Sequence, residues 1–143
     1  MKFWLAYKFR GANLDELKIQ LADLRKLLEE KGHEVVTMIE NIQNWDWQSQ
    51  SKAEVLRAQY DLAKNCDAAL CVYTSEDPSE GRGFDVGLFA GMGKPTIMAI
   101  QKPFSIPFTE AFYSENPANQ SLGFDPVIRF EVFEDIVNKL EAR

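Results

Sequence analysis

Residues 67–100, DAALCVYTSEDPSEGRGFDVGLFAGMGKPTIMAI, contain one complete strand–helix–strand unit. The apolar run at 67–73 is typical of a central parallel strand, because such a strand is buried on both faces. A loop at 74–81 leads into a short glycine-rich helix that ends near Gly93, and residues 94–100 form the next strand. Strands joined in this way are parallel and are connected by a right-handed crossover.

The same alternation of strands and helices extends over the rest of the chain. Strands are predicted at residues 2–7, 33–39, 67–73, 94–100 and 127–130. We therefore predict one α/β domain over residues 1–143. It is a flavodoxin-like (Rossmann-like) three-layer sandwich with a five-stranded parallel sheet of order 2-1-3-4-5 and helices on both faces. Ligands in such sheets bind beyond the carboxyl ends of the first and third strands, which points to residues 6–11 and 74–87.

Capping pairs and apolar spacing indicate where the helices begin. Asn13 with Glu16 opens the first helix, and Ser51 with Glu54 opens a second one that runs to about residue 65. The residues of this second helix that are expected to face the sheet are Val55, Leu56, Tyr60 and Ala63. Residues 101–125 contain three prolines and are expected to form a long irregular loop.

The composition excludes several classes of protein. The net charge is −6, with 16 Lys and Arg against 22 Asp and Glu, so a nucleic-acid polymer is not an expected partner. No apolar run approaches the ~20 residues of a membrane helix, and no signal peptide precedes the first strand, so we expect a cytoplasmic protein that does not contact a membrane. Cys66 and Cys71 have neither a CxxC nor a metal-ligand spacing, and neither a metal nor an organic cofactor is expected.

The glycine-rich stretch DPSEGRGFDVG at 77–87 is the main candidate for a binding site. Gly81 and Gly83 stand at the entry of a helix, where unpaired backbone N–H groups and the positive end of the helix dipole suit a phosphate. Ser79 adds a hydroxyl group and Arg82 adds a cation. The same glycines are also typical of a tight turn between a strand and a helix, and both interpretations stand at this point.

Asp85 lies in the first turns of the same predicted helix. A carboxylate at such a place is commonly a favourable partner of the helix dipole. In a nucleotide pocket, however, a carboxylate can attack the sugar C1′ or stabilise an oxocarbenium-like transition state. The second interpretation makes Asp85 a candidate catalytic residue.

The order and spacing of these segments resemble the nucleoside 2-deoxyribosyltransferase superfamily over roughly residues 2–100. The matching segments are the first strand, the Arg-Gly pair at Arg10 and Gly11, PSEGRGFDVG at 78–87 and GKP at 93–95. The most similar branch is the 2′-deoxynucleoside 5′-phosphate N-hydrolases, whose members carry the pattern P-S-x-G-x-G-[aromatic]-E-x-G. The resemblance implies cleavage of the N-glycosidic bond of a nucleoside or a nucleoside 5′-monophosphate through a carboxylate.

The resemblance also implies roles for individual residues. The residues that correspond to the family's phosphate-binding segments are Ser79, Gly81, Gly83, Arg10 and Gly11. Arg82, the cation noted above, is counted with them as a phosphate-binding residue. Asp85 stands at the position of the family's nucleophilic glutamate. In the family a late loop reaches into the neighbouring subunit, so a homodimer is implied.

Three positions depart from the pattern of the family. Asp85 is one methylene shorter than glutamate, and a geometric slip of about 1 Å can cost ~100-fold in rate. Trp4 replaces a first-strand tyrosine that orients the nucleophile, and we expect the hydroxyl group of Tyr7 to act beside Asp85 in its place. Gln59 stands where the family has an aspartate, and we count Gln59 and Trp4 among the substrate-binding residues.

Two functions are compatible with this pattern. The first is an N-glycosidase, either a hydrolase or a 2-deoxyribosyltransferase, in which Asp85 is the nucleophile or an electrostatic stabiliser. The second is a non-catalytic nucleotide-binding or sensor domain that kept the fold and lost the catalytic residues. The changes at Trp4, Gln59 and Asp85 motivate this second function.

Overall fold

The computed structural model describes residues 1–8, 13–46 and 51–142, and its sheet has five strands in the order β2-β1-β3-β4-β5. The strands are β1 (Lys2–Ala6), β2 (Glu34–Val36), β3 (Ala68–Tyr73), β4 (Thr96–Gln101) and β5 (Val127–Phe130). All neighbouring strands are parallel. The predicted fold class and strand order are therefore confirmed.

Helices cover both faces of this sheet. They are α1 (Leu14–Glu29), α2 (Met38–Asn41), α3 (Lys52–Lys64), α4 (Glu80–Gly91), α5 (Pro107–Ser114) and α6 (Phe133–Glu141). Because side chains alternate along a strand, Phe3 and Leu5 face α1 and α6, whereas Trp4 and Ala6 face α3, α4 and α5. We call these surfaces the α1/α6 face and the α3/α4/α5 face.

The cap predicted at the start of the first helix is present. The side chain of Asn13 accepts hydrogen bonds from the backbone N–H groups of Asp15 and Glu16. After the helix, Gly32 adopts a φ of +83°, a conformation that glycine reaches without strain. These two signals fix the ends of α1, and its leucines then pack on the sheet.

The buried side of α3 agrees with the prediction at Ala63, which is fully buried, and differs at Leu56 and Tyr60, which are about half exposed. Gln59 faces the sheet as well and donates a hydrogen bond to a buried residue of α4, a tertiary contact that apolar spacing does not report.

Two further segments also differ from the prediction. The second strand ends at Val36, because the Thr37 side chain caps α2 by accepting a hydrogen bond from the N–H of Glu40. Residues 101–125 are not one irregular loop, since they contain α5 and a 3-10 helix over Pro117–Ser121. Pro107 stands in the first turn of α5, where a missing N–H has no cost.

The late segment is held to the sheet by asparagine side chains. Asn119 Nδ2 donates to the carbonyl groups of Thr96 and Tyr113, at 2.8 and 2.7 Å. Asn116 Nδ2 donates to Thr96 Oγ1 at 2.9 Å. Both asparagines are buried, so within this chain they fasten the connection between α5 and β5.

Other features of the described part of the chain complete the fold. Cys66 and Cys71 are buried free thiols. Every helix of the described residues is too short or too polar to cross a membrane. His33 lies at the amino end of the sheet, where Nε2 bonds to Glu141 at 2.6 Å, away from the carboxyl ends of β1 and β3.

Candidate functional site

Asp85 lies in the second turn of α4 and is 5% exposed. Gln59 Nε2, from α3, donates a hydrogen bond to Oδ1 of this carboxylate. The indole of Trp4, from β1, interacts with the same group and lowers its pKa. Trp4 Nε1 nevertheless completes no hydrogen bond of standard geometry with any described residue. The three elements together hold one carboxylate on the α3/α4/α5 face.

The environment of Asp85 changes its proton affinity. Burial raises the pKa of Asp85 to about 7, and the donors of Trp4 and Gln59 oppose that rise. Within the described ranges Asp85 forms no ion pair. A carboxylate with neutral donors alone keeps its whole negative charge when it ionises. Near neutral pH both forms of Asp85 are therefore populated.

The N-terminus of α4 combines a capping serine with two open glycines. Ser79 is the N-cap, and its Oγ accepts a hydrogen bond from the N–H of Arg82 at 3.4 Å. Gly81 and Gly83 are exposed, and a Cβ at Gly83 would meet no atom within 4 Å. Among the described residues nothing accepts a hydrogen bond from the N–H of Gly81, as is usual in the first turn of a helix.

Arg82 lies in the wall of this site. Its guanidinium donates to the carbonyl groups of Val72, at 2.8 Å, and Asp77, at 3.1 Å, and lies 3.8 Å from the ring centre of Tyr73. The residue is 2% exposed, and Nε has no partner in the described part of the chain. Arg82 thus fixes the loop that precedes Ser79 and carries a buried positive charge without an ion-pair partner there.

The structure brings some predicted site residues together and separates others. Trp4 and Gln59 reach Asp85 and so contact the candidate acid, although they were predicted to bind the substrate. Tyr7 packs in the core of the α1/α6 face, and its hydroxyl group donates to Gln20 Oε1 at 2.6 Å. The structure therefore does not bring Tyr7 to Asp85.

Two of the predicted phosphate-binding residues, Arg10 and Gly11, lie outside the described residues, so their role stays a prediction. No three His, Cys, Asp or Glu side chains gather as metal ligands in the described ranges.

Sequence reasoning missed two polar contacts on this face. One is the bond between Gln59 and Asp85, and its only signal was the departure from the family pattern at position 59. The other joins the hydroxyl groups of Tyr73 and Tyr113 at 2.8 Å. Burial raises the pKa of Tyr73 to about 12, so this pair stays neutral in ordinary buffers.

These features define an α/β protein of flavodoxin-like topology that carries a buried acid on the helix after its central strand. Residues 4–135 match the model of the nucleoside 2-deoxyribosyltransferase family. The chain belongs to the nucleoside 2-deoxyribosyltransferase family. No curated protein matches its sequence significantly.

Solved structures share the fold at low sequence identity. The CMP N-glycosidase BcmB of Clostridium botulinum is 21% identical with a TM-score of 0.65, and the match covers 99% of this chain and 98% of that one. A 2-deoxyribosyltransferase of Bacillus psychrosaccharolyticus is 21% identical with a TM-score of 0.66, covering 96% and 91%. A 2-deoxyribosyltransferase of Leishmania mexicana is 17% identical with a TM-score of 0.63, covering 99% and 98%.

Proposed function

We propose that this protein cleaves the N-glycosidic bond of a nucleoside 5′-monophosphate and that Asp85 is the nucleophile. Membership of the nucleoside 2-deoxyribosyltransferase family supports an enzyme that acts at this bond. Two solved neighbours are named as 2-deoxyribosyltransferases and one as a CMP N-glycosidase. The phosphate in the proposed substrate follows from Ser79, the residue that the hydrolase branch uses at this place.

The observation that carries this proposal is the environment of Asp85. A carboxylate that served only to stabilise the helix would lie at the surface and keep a low pKa. Asp85 is instead buried, its pKa is raised to about 7, and its partners are neutral donors. A strongly perturbed acid of this kind is typical of a catalytic group.

The proposed reaction runs in two displacements at the sugar C1′. The ionised carboxylate of Asp85 attacks C1′, so that a C1′–O bond forms while the C1′–N bond breaks. The bonding electron pair leaves with the base, which takes a proton from solvent. Water then attacks C1′, the ester bond to Asp85 breaks, and the proton of the water returns to solvent. If a second base attacks in place of water, the reaction is a transfer.

The N-terminus of α4 is the proposed phosphate subsite. The Ser79 hydroxyl group and the open N–H of Gly81 can donate to phosphate oxygens, and the helix dipole favours a negative charge there. The Arg82 guanidinium, which has no ion-pair partner among the described residues, lies in the wall of the same turn. Arg10 and Gly11 join this subsite by resemblance to the family.

The homodimer that the family implies has a natural surface on the α3/α4/α5 face. Five large apolar side chains are about half exposed or more on its three helices, namely Leu56, Tyr60, Phe84, Phe108 and Phe112. Two of them, Phe108 and Phe112, pack against each other with their ring centres 5.2 Å apart, and exposed apolar clusters are typical of an interface. Sedimentation of Phe112→Asp should show a monomer, while Ile19→Asp, a similarly exposed position on α1, should leave the dimer intact.

The decisive test is a panel of nucleosides and 5′-monophosphates, ribo and deoxy, with release of free base followed by chromatography. We expect release that depends on the 5′-phosphate and that falls at least about 1,000-fold in Asp85→Ala. Full turnover in Asp85→Ala would overturn the role of Asp85. If no base is released but a monophosphate raises the melting temperature, the non-catalytic binding domain is the better account.

A further inference from the structure

Gln59 occupies a position on α3 where a helix ordinarily presents an apolar residue to the sheet. It is 1% exposed, while Leu56 and Tyr60 of the same helix are about half exposed. Val55, Leu62 and Ala63, three or four residues from Gln59 on the same side of α3, are partly or fully buried. The apolar stripe of α3 thus packs on the sheet around Gln59 and brings its amide group to Asp85.

The contact with Asp85 is the only hydrogen bond that the Gln59 side chain forms within the described part of the chain. Nε2 donates to Oδ1 of the carboxylate. A buried amide is costly unless it is hydrogen-bonded, so this contact accounts for a glutamine at that position. Because Gln59 binds one oxygen only, it fixes which oxygen of the carboxylate is left for other partners.

An amide suits a nucleophilic carboxylate better than a charged partner would. A Lys or Arg side chain would neutralise the negative charge that has to attack. A second carboxylate would share a proton with Asp85 and keep one of the two groups protonated. Gln59 does neither, and its donor strength does not change with pH.

We propose that Gln59 is a positioning residue that holds Oδ1 of Asp85 and thereby presents Oδ2 to the sugar C1′. This inference rests on the proposed function of Asp85 as the nucleophile. Trp4, on β1, lowers the pKa of the same carboxylate. Gln59 itself does not touch the substrate in this account.

The other groups around Asp85 do not compete for this role. Cys71 of β3 is one of these groups, because the charge of Asp85 contributes to the pKa of its thiol. Burial raises that pKa to about 12, so the thiol is neutral. Tyr73 of β3 is neutral for the same reason, and burial raises the pKa of Tyr113 of α5 well above its usual value. No charged side chain contributes to the pKa of Asp85, so Gln59 and Trp4 are its polar neighbours in the described ranges.

The first test moves one methylene group from one partner to the other. Gln59→Asn shortens the donor and should lower kcat about 10- to 100-fold with little change in KM, because the carboxylate is no longer held. The double variant Gln59→Asn with Asp85→Glu restores the combined length and should recover most of that loss. If Gln59→Asn turns over like the wild type, or if the double variant is no better than the single variants, the inference is wrong.

The second test needs no turnover and measures the pKa of Asp85 by carbon-detected NMR of its carboxyl group. Gln59→Leu removes the donor and should raise this pKa above about 7, and Gln59→Glu should raise it further through like-charge coupling. Gln20→Leu is the matched control, because it removes an amide bonded to Tyr7 on the opposite face. An unchanged pKa in both Gln59 variants overturns the positioning role.

The two tests separate the inference from the proposed function. If the NMR shifts occur but no nucleotide is hydrolysed by the wild type, the proposed function fails together with the catalytic part of this inference. If the wild type is active and Asp85 is essential, but the Gln59 variants keep wild-type kcat and pKa, the positioning role alone fails.

Discussion

The two faces of the sheet differ in the polarity of the side chains that they bury. The α1/α6 face is packed with leucines, and the hydroxyl group of Tyr7 in its core is hydrogen-bonded. The α3/α4/α5 face buries Asp85, Gln59 and Arg82, and both buried side-chain atoms without a partner in the described residues, Trp4 Nε1 and Arg82 Nε, lie there. The comparison shows that the first face buries mainly apolar side chains, whereas the second buries polar and ionisable groups whose removal from water has a cost in stability.

The stability difference between wild type and Asp85→Asn should depend strongly on pH. The pKa of Asp85 is raised to about 7 in the folded state, against about 3.9 in an unfolded chain. The protonated carboxyl group therefore makes its full contribution to the free energy of unfolding below about pH 4, and this contribution is lost as the pH rises to about 7. Above that, the ionised group costs up to about 4 kcal/mol, since one pKa unit corresponds to about 1.4 kcal/mol.

Urea denaturation at pH 4 and pH 8 measures this effect. Asp85→Asn should match the wild type closely at pH 4 and exceed it by a few kcal/mol at pH 8. Asp135→Asn is a control of opposite sign, because backbone N–H donors lower the pKa of Asp135 and its stabilisation is present at neutral pH. A gain for Asp85→Asn that is equal at both pH values would contradict the buried, titrating carboxylate.

The α1/α6 face should show the reverse pattern, with a large effect on stability and none on chemistry. Leu24→Ala removes a fully buried side chain from α1 and should cost about 2–5 kcal/mol in unfolding free energy. Turnover per folded molecule should keep its wild-type value and pH profile, because no group near Asp85 changes. A shifted pH profile in Leu24→Ala would show that the two faces are coupled.

The two serine caps of the α3/α4/α5 face allow the phosphate subsite to be tested against a structural control. Ser79 caps α4 and Ser51 caps α3, so Ala at either position should cost about 1 kcal/mol of stability. Only Ser79→Ala should also raise KM for a monophosphate, by about tenfold, through loss of a bond to a charged group. Equal KM values in the two variants would remove Ser79 from the subsite.

The smallest effect is expected at Trp4. Trp4→Phe removes the indole N–H that lowers the pKa of Asp85, so that pKa should rise slightly. At pH 6.5 this should reduce turnover by about twofold, since a third of a pKa unit halves the ionised fraction below the midpoint. The measurement is the NMR titration of Asp85, and a fall in its pKa in Trp4→Phe would contradict the interaction.

The fold was predictable because its signals are local or lie in one strand. The apolar run of β3 and the caps at Asn13 and Ser51 identify their elements without knowledge of the partners. Pro107 was misleading, because a proline in the first turn of a helix has the same sequence appearance as a proline in a loop.

The candidate site was predictable only where its signals lie in one segment of the sequence. The glycine-rich stretch and its acid point to α4 from sequence alone. The partner of Asp85 lies 26 residues away on another helix, where Gln59 is a polar residue on the buried side. Such a contact depends on how two helices are oriented, and a single sequence contains no record of that.

The most direct test of the central claim is the pH dependence of kcat/KM for the best substrate of the panel, measured from pH 5 to pH 9. If Asp85 attacks as a carboxylate, kcat/KM should rise with pH and level off above an apparent pKa of about 7. A profile that is flat across this range, or that falls as the pH increases through 7, would contradict an ionised Asp85 as the nucleophile.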